Sequence, residues 1–295
     1  WAKAEAELYL SAPMSDWSRW LPASLTAGWQ AEKLQVGGEF WLSWSKGHVQ
    51  RAVARVHAPL LRGAYAQRQP VELTDLGVNA YYDRTGNGFA LQLDSLAASL
   101  GDTRWGDARL ALEYQSEDEQ HQQRWQLSAD RLDLAPLAPI IKALAPLPEN
   151  LAEVLEGLAP RGALANLQIS YQPQAQADQQ VQFSANLERI GVNSYAGVPG
   201  LGNISGSIMG DLGSGELRLA TDDFILDLDQ LFAKPWHYQQ AHAQLHWTLN
   251  AQELTLSSTL MRLDAAEGKL SGDMMIRLPF TPGAESYMDL RVGIQ

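Results

Sequence analysis

Apolar and polar residues alternate one for one through most of this chain, and a period of two is the signature of β-strands with one apolar and one polar face. The pattern is clear in Leu91-Gln92-Leu93, Arg109-Leu110-Ala111-Leu112-Glu113-Tyr114 and Arg124-Trp125-Gln126-Leu127-Ser128-Ala129. It returns in Leu167-Gln168-Ile169-Ser170-Tyr171, Val181-Gln182-Phe183-Ser184-Ala185 and Leu217-Arg218-Leu219. Beyond these it runs through Ala243-Gln244-Leu245-His246-Trp247, Leu254-Thr255-Leu256, Met274-Met275-Ile276-Arg277-Leu278 and Leu290-Arg291-Val292. Helical periodicity is nearly absent, so the fold class is all-β.

Short turn signals separate these runs: Asp83-Arg84-Thr85-Gly86-Asn87-Gly88, Gln115-Ser116-Glu117-Asp118-Glu119 and Gly210-Asp211-Leu212-Gly213-Ser214-Gly215. Connections this short join antiparallel neighbours, and the expected sheet is a meander. About fifteen candidate strands spaced about 4.8 Å apart would make a single sheet roughly 70 Å across, too long for an ordinary sandwich sheet. Such a sheet must cover its apolar side with another sheet, with helices or with something else.

One stretch, residues 134–160, breaks the alternation. Apolar residues stand there at helical spacing in two short runs punctuated by Pro136, Pro139, Pro146 and Pro148, and the second run places Leu151, Val154, Leu155 and Leu158 on one face. A pair of short amphipathic helices is predicted, able to cap a groove, pack on the sheet or mark a boundary. The chain therefore divides into a β segment over 1–133, a helical insert over 134–160 and a second β segment over 161–295. So little helix cannot cover the sheet, which leaves a sandwich or an elongated, curved antiparallel sheet forming an open, taco-shaped groove.

Composition excludes several functions. Lys+Arg 22 against Asp+Glu 34 gives a formal charge of -12, with no basic stripe to neutralise phosphates, so nucleic acid is not an expected partner. The absence of cysteine removes disulfides, thiolate metal sites and cysteine nucleophiles, and suits an oxidising compartment. No run of roughly 18 apolar residues is present to span a bilayer. The chain opens at Trp1 without an initiator Met or a signal peptide, and it is expected to be an excerpt of a longer polypeptide.

Catalytic and cofactor chemistry finds little support. His237, His242 and His246 lie close in sequence, but strand geometry turns His237 away from the other two and no carboxylate stands at ligand spacing, so no metal is expected. The glycine-rich run 197–215 lacks both GxGxxG and a Walker lysine, and reads as strand bends and bulges. The acidic groups Asp222-Asp223 and Glu117-Asp118-Glu119 read as solvated turn charge, and no serine sits in Gly-x-Ser-x-Gly. The chain is not expected to be an enzyme or to hold a cofactor. A carbohydrate-active β-protein would need two carboxylates about 5 to 10 Å apart in a cleft, which the sequence does not place.

Ordered elements from about residue 130 onward resemble a known family. They are Leu158-Ala159-Pro160-Arg161-Gly162-Ala163-Leu164, then Val198-Pro199-Gly200-Leu201-Gly202-Asn203-Ile204-Ser205-Gly206 and Gly215-Glu216-Leu217-Arg218-Leu219. Leu231-Phe232-Ala233-Lys234-Pro235, Leu245-His246-Trp247 and Gly268-Lys269-Leu270-Ser271-Gly272 follow in sequence. This arrangement resembles the AsmA-like family of the YhdP type, related to TamB and similar to bridge-like lipid-transfer proteins. The resemblance implies a Gram-negative periplasmic protein, anchored in the inner membrane at full length, whose apolar β-groove carries phospholipids between inner and outer membranes and serves outer-membrane homeostasis. Its implied partners are phospholipid acyl chains and, through regions outside this chain, proteins or lipids of the two membranes.

Acyl chains need a continuous dry surface, and at roughly 25 cal/mol per Å² of apolar area they bind without any specific contact. The candidate lipid-binding lining takes one alternating face: Leu110, Leu112, Trp125, Leu127, Leu167, Ile169, Val181 and Phe183, then Leu217, Leu219, Leu245, Trp247, Leu254, Leu256, Met274 and Ile276. The rival reading is a closed β-sandwich that scaffolds envelope assembly and binds no lipid. The two differ in whether this face is open.

Overall fold

The computed structural model describes residues 5–20, 28–118, 121–145, 149–195, 199–227, 234–266, 268–281, 284–285 and 287–294; the side chains of 149–151 are outside the description. Some residues read from the sequence therefore lie outside it: Pro146, Leu147, Pro148, Gly197, Val198, Glu119 and Leu231-Phe232-Ala233, with the side chain of Leu151. The chain divides into two units, residues 1–156 and 157–295.

The first unit contains β1 (Ala6–Asp16), β2 (Trp29–Ser45), β3 (His48–Tyr65), β4 (Val71–Thr85), β5 (Gly88–Leu100), β6 (Thr103–Gln115) and β7 (Arg124–Asp133). Two helices follow, α1 (Leu134–Leu144) and α2 (Glu149–Leu158), the second running across the division between units. The second unit contains β8 (Arg161–Tyr171), β9 (Val181–Val192), β10 (Gly200–Asp211), β11 (Ser214–Asp227), β12 (Trp236–Leu249), β13 (Glu253–Ala265), β14 (Gly268–Pro279) and β15 (Tyr287–Ile294). Within each unit the strands lie in chain order, each antiparallel to the next. The fold class is thus the all-β, curved antiparallel sheet with a short helical insert that the alternation predicts. The strands of each unit form one open sheet, not the two facing sheets of a sandwich.

Curvature has a local cause that strict alternation does not reveal. Seven strands hold a non-glycine residue in the left-handed region: Asp75, Ser95 and Asp107 in β4–β6, and Asn166, Arg189, Asn203 and Asp223 in β8–β11, at φ between 50 and 58. The register slips beside most of them, as at Thr74/Gly77, Leu93/Leu96 and Ala165/Gln168. These are β-bulges, which bend a strand and tighten its twist.

Each kink is followed at once by an apolar residue, Leu76, Leu96, Ala108, Leu167, Ile190, Ile204 or Phe224. Ala108, Leu167, Ile204 and Phe224 are buried. Adjacent kinks are tied together in the second unit, where the Asn203 amide donates to the Asp223 carbonyl at 2.9 Å. The extra residue reverses the alternation. Leu219 and Phe224 of β11 therefore join one cluster with Ile204, Tyr238 and Ala241, although their odd spacing would send them to opposite faces of a flat strand. Asp222 and Asp223 accordingly lie inside β11, not in the turn that their charge suggested.

The insert is two helices. The first, α1, begins without a side-chain cap and tolerates Pro136 in its first turn, where the missing N–H would have been unpaired. Its Ala143 packs on Val71 and Leu73 with Ile140, Leu144, Leu61 and Leu100, covering the sheet where β3 ends and β4 begins. Arg68, in the β3–β4 turn, donates to the carbonyls of Lys142 at 2.8 Å and Ala145 at 2.6 Å, pairing groups that a helix end leaves open. Among the described side chains of α2 the buried one is Ala152; Leu155 and Leu158 of the stripe read from the sequence are half-buried, and Val154 is 41% exposed.

Candidate apolar groove

In an antiparallel sheet, residues directly opposite one another share a face, so the register itself traces the site. In the first unit the path runs from Leu8 and Leu10 to Leu42 and Phe40, and then to Ala52 and Ala54. It continues through Tyr82 and Ala80 to Leu91 and Leu93, reaches Leu112 and Leu110, and ends at Leu127 and Ala129 with Tyr114 opposite Trp125. All four lining candidates of this unit, Leu110, Leu112, Trp125 and Leu127, fall on that path.

The second unit repeats the arrangement. Ile169 faces Phe183, and Tyr171 faces Val181. Phe183 and Ala185 face Gly210 and Ile208, which face Gly215 and Leu217. Leu217 meets Leu245 and Gly215 meets Trp247. Trp247 and Leu249 then meet Leu256 and Leu254, which meet Ile276 and Leu278; Met274 stands opposite Ser258 and Leu290. The register thus brings Ile169, Val181, Phe183, Leu217, Leu219, Leu245, Trp247, Leu254, Leu256, Met274 and Ile276 onto one face, and Leu167 stands two residues before Ile169 on the same strand.

Exposure separates this face from a sealed core. Leu167 and Leu219 are buried, and the other fourteen candidates are only half-buried. Among the described residues, ten of the eighteen buried apolar residues are alanines, so few large side chains are withdrawn from water. A sandwich interior would bury most of them. The face also exposes Leu8 at 56%, Leu290 at 51% and Met288 at 67%.

Two aromatic groups lie on it. In the first unit Tyr82, Phe89, Tyr114 and Trp125 form a contiguous cluster, with centroid separations of 5.8 Å, 5.6 Å and 4.3 Å along the series Tyr82–Phe89, Phe89–Tyr114, Tyr114–Trp125. In the second, Phe183 and Trp247 are parallel at 6.2 Å although two strands separate them. Glycine makes this possible: a Cβ at Gly215 would fall 2.0 Å from the Trp247 ring, and one at Gly210 2.8 Å from it. The indole therefore lies flat over two strands. Sequence reasoning selected Phe183 and Trp247 but not these glycines or the Tyr82–Phe89–Tyr114 group, whose signal is their cross-strand register.

The opposite face is charged. Arg51–Asp83 at 2.8 Å and Arg62–Glu72 at 3.4 Å are direct cross-strand pairs, and Arg109 meets Asp94 at 2.9 Å. Glu216, held by Arg218 and by the Gln244 amide, has its carboxyl below the usual range. In the first unit the Tyr9 and Trp41 rings lie 5.4 Å apart, and the Arg55 guanidinium sits over the Trp41 ring at 5.3 Å. Tyr238 and Ala241 are buried in one cluster, which leaves their neighbours His237 and His242 both exposed where strict alternation would set them on opposite faces. His246 lies 3.8 Å from Glu216, and among the described residues no three His, Cys, Asp or Glu side chains gather as a metal set.

A protein-family model described as YhdP protein matches residues 2–295. The chain belongs to the YhdP family. The match spans both units, including the part before residue 130, which lies outside the ordered elements that carry the resemblance in the sequence. Comparison with curated proteins and with solved structures finds no match. Among the described residues of this YhdP family chain, no helix is long and apolar enough to cross a membrane.

Proposed function

We propose that this YhdP family chain is part of a periplasmic conduit that carries phospholipids between the inner and outer membranes, with acyl chains lying on the apolar face of each open sheet. One observation supports the reading above the others: an unbroken series of directly opposed apolar residues crosses every strand pair of each unit, yet most of its large members stay half-exposed. Contiguous apolar surface on this scale is tolerated where something binds. A lining without a deep pocket suits movement, because neighbouring positions hold an alkyl chain about equally well. Enzymatic chemistry has no part in this reading.

Native mass spectrometry with lipid extraction, on chain purified gently from a Gram-negative host, tests it. Phospholipid should accompany the wild-type chain and be lost from a folded Ile169→Asp/Phe183→Asp variant. A folded wild-type chain that carries no lipid and takes none from vesicles favours the scaffold reading instead.

A further inference from the structure

We propose that Arg84 binds the phosphate of a glycerophospholipid whose acyl chains lie on the apolar face of the first unit. The inference rests on the groove reading and adds where the polar end of the lipid sits. In the register Arg84 stands directly opposite Phe89 and two residues beyond Tyr82, which places this arginine on the apolar face. It is exposed, and among the described residues it has no carboxylate partner, unlike Arg51, Arg62, Arg109 and Arg131 of the same unit. An unpaired guanidinium on an apolar face is costly unless its head reaches water or an anion.

Its surroundings suit a lipid's interfacial region. Tyr82, Phe89, Tyr114 and Trp125 form the aromatic cluster beside it, with Phe89 and Trp125 rings 6.0 Å apart. The Tyr and Trp rings among them, with an apolar body and a polar tip, favour the boundary between hydrocarbon and water. The guanidinium fork matches two phosphate oxygens at once. From Arg84 the strand runs about 30 Å to the kink at Asp75. That is ample for the roughly 15 Å that one leaflet's chains occupy, half of a hydrocarbon core about 30 Å thick. With a formal charge of -12, the chain needs a local cation to accept an anionic group.

Short-chain probes on the 295-residue chain test this. Dioctanoyl phosphatidylglycerol should bind about tenfold tighter than dioctanoylglycerol, which has the same chains and no phosphate. Arg84→Gln should abolish that preference while leaving dioctanoylglycerol affinity unchanged, and Arg84→Lys should keep part of it. Arg55→Gln, an equal loss of charge on the outer face, should keep all of it. A preference that survives Arg84→Gln, or falls equally in Arg55→Gln, overturns the site. So does tight binding of sn-glycerol 3-phosphate, which would make Arg84 a site for free phosphate. Binding of neither lipid to the folded wild-type chain overturns the groove reading itself.

Discussion

Five of the seven left-handed strand residues are Asp or Asn, the non-glycine types that tolerate that conformation best. Asp107, exposed and at φ 58, is the cleanest test of their role. Asp107→Gly should change stability little, whereas Asp107→Val should cost about 1 to 3 kcal/mol in chemical denaturation, because a β-branched residue is strained there. Equal effects of the two changes would contradict the kink. These kinks were not legible in the sequence, where Asp222-Asp223 read as turn charge, since the signal is a single polar residue before a single apolar one. The charged outer face predicts a pH dependence. Glu216, chiefly through Arg218, Asp94, chiefly through Gln92, and Asp16, chiefly through Ser18, hold carboxyls below their ordinary range. A depressed folded-state pKa adds stability above the unfolded value, and that stability is lost as pH falls through the folded one. Denaturation midpoints should therefore decline through the acid carboxylate range, and Glu216→Gln should decline less steeply. A midpoint that rises on acidification would contradict the sign.

At the scale of elements, α1 is held at its C-terminal end by a side chain far away in sequence. Arg68→Ala would leave the Lys142 and Ala145 carbonyls without their charged donor and should cost about 1 to 3 kcal/mol, with faster amide exchange confined to α1 and the ends of β3 and β4. Uniform exchange across the first unit would argue that α1 does not act as a separate patch. The existence of both helices and nearly all strands was legible, because hairpin turns such as Thr85-Gly86-Asn87-Gly88 and the proline punctuation are local signals. The buried face of α2 was legible only in part, since Leu155 and Leu158 are half-buried and Val154 is exposed. An apolar stripe shows which face prefers burial, while what lies next to the helix decides which residues obtain it, and among the described side chains of α2 the buried one is Ala152.

Across the molecule, an open antiparallel arrangement with one apolar face recurs in each unit of a chain whose family is YhdP. The lining drawn from alternation lands on one face in each unit because cross-strand partners preserve side-chain direction even where a strand kinks. What alternation left undecided was whether a second sheet closed over that face, since the same period of two builds sandwiches and open troughs alike. Photo-crosslinking in living cells tests the central claim most directly, with a photoreactive amino acid placed at Leu112, Leu217 or Leu256 on the apolar face and at Ala111, Arg218 or Thr255 on the other. The account predicts phospholipid adducts at the first three positions and none at the second three. Adducts of equal yield on both faces, or none on the apolar face of a folded chain, would contradict it.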